Sequence, residues 1–393
     1  MKKGDEMTGF YRATLVLFGV AAAWLAAGPA FAVDRTVATA GTSVRVATFA
    51  TGLVHPWGLA ILPDERFLVT ERPGRLRVVA PDGKLSAPLT GVPAVDARGQ
   101  GGLLDVAAHP NFANNNLVYL TFSEAGQGGN GTAIARGRLE LGDTPRLANV
   151  EIIFRQLPKV ASTGHFGSRL AFDPQGYLWA TLGERQSNEF RKLAQDLSTH
   201  MGKVIRLHDD GSVPPDNPFV GNSSARPEIW SYGHRNPQGM AVHPQTGIVW
   251  THEHGPRGGD AVNIPRRGGN YGWPVATYGR EYWGGTIFSG DKYPQQFVEP
   301  LHHWTPSIAP SGMAFYASDA IAGWRGSLLI GALAGQRLVR LEMDGDKVVR
   351  EEHLLRDFDL RIRDVRVAGD GAVYLLTDEE KGEILRLTPA AKN

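Results

Sequence analysis

Short apolar runs broken by turn residues dominate this chain, and long segments with helical apolar periodicity are hard to find. One phrase recurs: a short apolar strand, a Pro/Asp/Gly/Asn turn, a second apolar strand, then a polar or acidic tip. The first two copies are Trp57-Gly-Leu-Ala-Ile-Leu-Pro-Asp with Phe67-Leu-Val-Thr-Glu71, and Leu103-Leu-Asp-Val-Ala-Ala-His-Pro with Leu117-Val-Tyr-Leu-Thr-Phe-Ser-Glu124. Next come Leu170-Ala-Phe-Asp-Pro with Leu178-Trp-Ala-Thr-Leu-Gly-Glu184, and Gly239-Met-Ala-Val-His-Pro with Val249-Trp-Thr-His-Glu253. The last two are Gly312-Met-Ala-Phe-Tyr with Leu328-Leu-Ile-Gly-Ala-Leu333, and Val365-Arg-Val-Ala-Gly-Asp-Gly with Val373-Tyr-Leu-Leu-Thr-Asp378.

Six copies in this length leave roughly 60 residues each, which suits a four-stranded antiparallel blade with variable insertions. A single blade cannot bury both faces of its sheet, whereas six packed around an axis bury most of them and leave only short edges. The pattern therefore predicts an all-β six-bladed β-propeller, with Ser43-Val-Arg-Val-Ala-Thr-Phe49 adding a strand to the C-terminal blade. A pair of β-sandwiches does not explain the same strand-turn-strand phase repeating six times. The largest interruptions, near residues 185–230 and 255–310, are expected to gather over one end of the channel.

Residues 1–32 stand outside this repeat. Lys2, Lys3 and Arg12, the apolar run from Leu15 to Ala27, and Ala30-Phe-Ala32 read as a secretory signal cleaved after Ala32. Residues 33–393 are then one exported propeller domain, with no later segment of membrane-spanning length. The chain has no cysteine, which excludes disulfides, thiolate chemistry and cysteine-held metal. Its 41 basic and 40 acidic side chains are interspersed, which argues against nucleic acid as a partner.

His165 precedes the first strand of the third copy and Glu184 follows the second. In an antiparallel pair the two ends away from the turn return to the same edge, so these side chains can meet. A histidine held by a carboxylate keeps one tautomer and leaves its other nitrogen free to accept a proton. Spacing alone favours a structural, hydrogen-bonded histidine. Arg235-Asn236 precedes the fourth copy in the same phase, Arg361 and Arg363 precede the sixth, and Gln100 precedes the second. Gathered at one end of the channel, they describe a site for a planar polyanion. Thr251-His-Glu-His-Gly-Pro lacks the helical spacing of a zinc site, but its glycine and proline can offer carbonyls to a hard cation such as calcium.

Six segments in order carry a resemblance over nearly the whole of residues 33–393. They are Gly99-Gln-Gly-Gly-Leu-Leu-Asp, His165-Phe-Gly-Ser-Arg-Leu, Tyr232-Gly-His-Arg-Asn-Pro-Gln-Gly-Met, Glu253-His-Gly-Pro-Arg-Gly-Gly-Asp, Asn270-Tyr-Gly-Trp-Pro and Arg361-Ile-Arg-Asp-Val. Together they resemble the soluble, periplasmic aldose sugar dehydrogenases that use pyrroloquinoline quinone (PQQ).

The resemblance implies oxidation of an aldose at its C1 hydroxyl, with PQQ and calcium (Ca2+) as cofactors. It implies His165 as general base, Glu184 as the carboxylate orienting it, and Arg235 as stabiliser of charge on the quinone oxygen. Gln100, Arg235, Asn236, Tyr282, Arg361 and Arg363 match positions lining PQQ, with the backbone of Ala332 and Leu333 close by. The carbonyls of Gly255 and Pro256 match the calcium beside the cofactor, and that of Tyr271 a second, structural calcium. Two positions depart: Ala261 stands where the family often has a glutamate for that second calcium, and Ala334 where it often has a lysine facing PQQ. Gln336 or Arg337 would be the substitutes for the lysine.

The expected partners are a small-molecule aldose and an unidentified electron acceptor, with the protein a monomer or homodimer. A calcium-dependent propeller hydrolase would need a ring of Asp, Asn and Glu around its metal, which this arginine-rich set suits poorly. A non-catalytic sugar- or protein-binding propeller does not call for His165, Arg235, Arg361 and Arg363 together.

Overall fold

The structure is a computed structural model and describes residues 32–391 except 143 and 289–292. The segment read as a signal, residues 1–31, lies outside the described residues. No helix among those described is long and apolar enough to cross a membrane.

Six antiparallel sheets begin on the strands Pro56–Ile61, Leu103–Ala108, Gly167–Phe172, Pro237–Val242, Pro310–Phe315 and Ile362–Val367, and these six strands touch one another in a closed ring. This is the predicted six-bladed β-propeller. Four blades have four strands, the first has three and the last five. The first falls short because the chain after Arg75–Val79 carries Pro81, Pro88 and Pro93, which cannot donate to a ladder; it makes isolated bridges instead, Leu85 to Val79 of its own blade and Thr90 to Arg146 of the next. The last gains because Thr42–Leu53 pairs with Gly382–Pro389 and Asp34–Thr39 pairs outside it. Val44 faces Pro389 and Thr48 faces Leu385, so the strand expected at 43–49 joins the two ends of the propeller.

Alternating side chains from neighbouring sheets fill the seams between blades. Leu68, Leu76, Leu103, Val118, Leu120 and Phe122 pack in one seam, and Leu329, Leu338, Ile362, Leu375 and Leu385 in another. The axis is closed differently. At one equivalent position the six inner strands carry Gly58, Asp105, Arg169, Gly239, Gly312 and Asp364, beside a register break in each strand. Arg169 is buried and reaches across to Asp105 (3.1 Å) and Asp364 (3.0 Å). Those carboxylates also take backbone donors from the next blade, Leu170 N at 2.8 Å and Leu59 N at 3.0 Å. The glycines make room, since a Cβ on Gly312 would lie 2.2 Å from Asp364 Oδ1. Arg169 also stacks on Trp57, with its Cζ 4.3 Å from the ring centroid, and Trp57 forms part of the floor of the cavity described next.

Candidate active site

Five of the six second strands run into an acidic tip: Glu71, Glu124, Glu184, Glu253 and Asp378. Antiparallel pairing returns each tip to the edge where the inner strand starts, so polar residues at that start meet an acid of their own blade. His165 Nδ1 lies 2.6 Å from Glu184 Oε2, His234 Nδ1 lies 3.0 Å from Glu253 Oε1, and Arg361 and Arg363 both bond Asp378. The contact expected between His165 and Glu184 is thus present.

Both members of that pair are buried. Burial lowers the pKa of His165, Glu184 pulls it back up and Arg235 lowers it again, so the net position is below the ordinary imidazole value. Burial raises Glu184, but the charge and hydrogen bond of His165, with Arg235, outweigh it and hold the carboxyl below its usual range. The pair is therefore a neutral imidazole on an ionised carboxylate at neutral pH. An ionised carboxylate only accepts, so Nδ1 carries the proton and Nε2 presents a lone pair. Nε2 has no protein partner among the described residues. The backbone around it is constrained: His165, Arg185 and Gln186 have φ of 47°, 74° and 49°. Left-handed backbone in non-glycine residues is unfavourable and tends to cluster at functional sites.

A cavity of about 280 Å³ opens beside this pair. Gln100, Asn236, Leu333, Arg361 and Arg363 line it, as the sequence reading expected, together with Trp57, Arg72, Phe166, His254, Ala334 and Asp378. Neither His165 nor Glu184 lines it, but His165 is joined to two residues that do: its backbone N donates to Gln100 Oε1 (2.8 Å), and Phe166 follows it. Asn236 Oδ1 accepts from Gly167 N (3.1 Å), tying the third blade to the fourth. Arg235, expected to line this cavity, borders instead the smaller void described below; it donates through Nη1 to the carbonyls of Gly255 (2.7 Å) and His254 (3.2 Å), and its Nε is buried without a partner among the described residues.

Other expected residues sit further out or elsewhere. Ala332 is fully buried and does not line the cavity. Tyr282 is 63% exposed and touches the site only through its hydroxyl, 3.4 Å from Arg235 Nη2. Gly255 and Tyr271 border a separate, smaller void of about 30 Å³, with Glu253, Ala261 and Asn263. Pro256 lines neither. The substitutes considered for a charge at Ala334 point away: Gln336 Nε2 binds Asp359 O (2.7 Å), and Arg337 binds Gly335 O (2.9 Å) and His353 (2.8 Å).

Sequence reasoning passed over Arg72, Asp378 and His254. The first two carried a signal, since Asp378 is an acidic tip and Arg72 follows one. His254 follows another; its Nε2 donates to Pro310 O (2.6 Å), and burial pushes its pKa well below the usual value. The two long interruptions meet here, with Arg191 Nη1 2.6 Å from Glu281 Oε1, and Gln195 bonded to Asn270 and to Trp273 O. Lys203 braces this rim through Leu193 and Ala194 carbonyls, and burial brings its pKa down to about 7.

Residues 53–386 match the family model described as Glucose / Sorbosone dehydrogenase. The chain is 46% identical over 370 residues to Aldose sugar dehydrogenase YliI of Escherichia coli (strain K12), covering 92% of this chain and 97% of that one. A crystal structure of a glucose dehydrogenase is 53% identical, with a TM-score of 0.84 over 88% of this chain and 99% of that chain. The PQQ-bound form of Aldose Sugar Dehydrogenase from Streptomyces coelicolor is 30% identical, with a TM-score of 0.74 over 92% of this chain and 99% of its own.

Proposed function

The chain belongs to the glucose/sorbosone dehydrogenase family, a family of soluble sugar dehydrogenases, and we propose that this oxidoreductase oxidises aldoses at the C1 hydroxyl to lactones, using PQQ with His165 as general base. The observation that carries the proposal is a buried, neutral His165 whose tautomer is fixed by Glu184, beside a cavity walled by guanidinium groups.

The cavity fits the cofactor in charge. Arg72, Arg361 and Arg363 face it against one carboxylate, Asp378, which leaves an excess of planar cationic donors for a planar polycarboxylate. When bound, PQQ would supply the quinone that accepts hydride. His165 Nε2 would take the proton of the C1 hydroxyl, and Glu184 would keep Nδ1–H aligned and stabilise the charge that His165 gains. Arg235, with a partnerless Nε, would stabilise negative charge developing on the quinone oxygen. Gln100 and Asn236 hold the backbone on either side of Phe166 and so fix where Nε2 points.

The carbonyls of Gly255 and Pro256 would hold calcium; that of Gly255 accepts one bond from Arg235, and a carbonyl has a second lone pair. The second calcium fits less well. Ala261 brings no carboxylate, and Glu253 is bonded to His234, Arg235 N and Asn263. A hard dication seeks six to eight oxygens. On the composition of residues 1–32, the proposal includes export to the periplasm with cleavage after Ala32.

The test is to purify the protein without cofactor, add PQQ and calcium, and follow dye reduction with a panel of aldoses. PQQ-dependent reduction is expected; no absorbance change on adding PQQ and no dye reduction would overturn the reading.

A further inference from the structure

The three arginines on the cavity wall are not equivalent. Arg361 and Arg363 share Asp378, at 2.8 Å from Arg361 Nη2 and 3.1 Å from Arg363 Nε, so much of their charge is met within the protein. Arg72 has no carboxylate in salt-bridge reach among the described residues. Its Nη2 donates to Gly99 O (2.5 Å) and its Nε to Gly101 O (3.3 Å), while Nη1 makes no protein hydrogen bond there. Backbone carbonyls satisfy donors but do not neutralise the cation, which feels Asp378 only at a distance and Arg363 against it, and a guanidinium does not shed its proton to escape.

The position of Arg72 is fixed from both sides. Its N donates to His55 O (3.0 Å), and its O accepts from Leu103 N (3.1 Å), across the seam between the first two blades. A Cβ on Gly102 would stand 2.0 Å from Arg72 O, so the close approach of the two chains depends on glycine there. The two carbonyls that Arg72 holds flank Gln100, whose Oε1 accepts from His165 N. The side chain thus grips the turn that aims Gln100 and still lines the cavity with a free donor edge.

We propose that Arg72 is a cofactor-binding residue that receives a carboxylate of PQQ through Nη1, while Nε and Nη2 hold the Gly99–Gly101 turn. The assignment rests on the PQQ reading above. It gives the cavity a cation that is not already shared with Asp378, at a site where Ala334 contributes none and Gln336 and Arg337 point away. Arg361 and Arg363 then orient the ligand, and Arg72 supplies the attraction of a cation with no direct ion pair among the described residues.

The experiment measures PQQ binding to the otherwise intact protein by tryptophan fluorescence, without sugar or turnover, in wild type, Arg72→Gln, Arg72→Lys, Ala334→Lys and the double variant Arg72→Gln/Ala334→Lys. Thermal midpoints check that each variant is folded. Arg72→Gln is expected to weaken binding about tenfold or more, the scale of one charge-assisted contact. Arg72→Lys should lose less, and adding Ala334→Lys on the wall of the same cavity should recover most of the loss. A turn-holding role alone would not be rescued by a cation placed elsewhere. Wild-type affinity in Arg72→Gln, or a loss that Ala334→Lys leaves unchanged, overturns the assignment. Should Arg72→Gln fail to fold, the same comparison is read from Arg72→Lys, and wild-type affinity there together with no gain from Ala334→Lys alone overturns it. No PQQ binding by the wild type overturns the PQQ reading and this assignment together, whereas binding by all variants alike removes this assignment alone.

Discussion

Two histidine–glutamate pairs stand at the same edge of neighbouring blades, His165–Glu184 in the third and His234–Glu253 in the fourth. Both are buried and both join Nδ1 to a carboxylate at an acidic tip. They differ at the other nitrogen. His234 Nε2 meets Ser231 Oγ at 2.9 Å, and its ring stacks on Tyr271 with centroids 4.4 Å apart, so every polar atom is spent inside the protein. His165 Nε2 has no such partner. The cause is a shift of one residue in the segment leading into the inner strand: His165 stands two residues before Gly167 as Arg235 stands two before Pro237, and His234 sits one position earlier. The backbone there is not extended, His165 having φ of 47°, and the one-residue offset leaves His165 next to Phe166 of the cavity wall and His234 against Ser231 and Tyr271. A His–Glu pair by itself is therefore no sign of catalysis; the unspent nitrogen is.

Exchanging the two histidines for alanine should separate these roles most sharply. His165→Ala is expected to lower kcat about 10³-fold in dye-coupled assays, within the usual range for a general base, with PQQ affinity nearly unchanged. His234→Ala should lower kcat less than about tenfold while lowering the thermal midpoint, because Glu253 and Ser231 lose a buried partner. Next in size is Glu184→Gln, which keeps the shape but removes the charge. A loss of about 10²-fold in kcat/KM is expected, as when a tautomer-fixing carboxylate becomes an amide. Its acid limb should move to lower pH, because Glu184 is the group that raises the pKa of His165.

Glu253→Gln should show the mirror image. Its carboxylate accepts from His234 (3.0 Å), Arg235 N (2.5 Å) and Asn263 (3.0 Å), so denaturant unfolding should report about 2 kcal/mol of lost stability with a modest change in turnover. The smallest effect is at the rim. Arg191→Ala releases Glu281 from a partly exposed ion pair, worth about 0.5–1 kcal/mol, and should raise the sugar KM roughly two- to fivefold with kcat kept.

The repeat was legible because strand alternation and turn residues are local signals, and the same phase returned six times. The strand counts of the end blades were harder: a proline-rich segment costs the first a strand, and the last gains a hairpin from the N-terminal side. His165 and Glu184 could be paired from hairpin geometry alone. Arg72 and Asp378 were also within reach of that logic, since an acidic tip must face something. What no spacing could show is the axial plug of Asp105, Arg169 and Asp364, whose members lie on three blades and meet only when the ring closes. The direction of His165 Nε2 belongs to the same class, because it depends on Gln100 and Asn236 from neighbouring blades.

The central claim is that a neutral His165, held by Glu184, removes the proton from the sugar. The most direct measurement is the pH dependence of single-turnover sugar oxidation by PQQ-loaded wild type and His165→Ala. A base whose pKa lies below the ordinary 6.5 is active when neutral, so the wild-type rate should hold on the alkaline side and fall only as pH drops through that lowered value. The variant should be slow at every pH and lack that limb. A wild-type acid limb at or above 6.5, or one that survives unchanged in His165→Ala, would contradict the account.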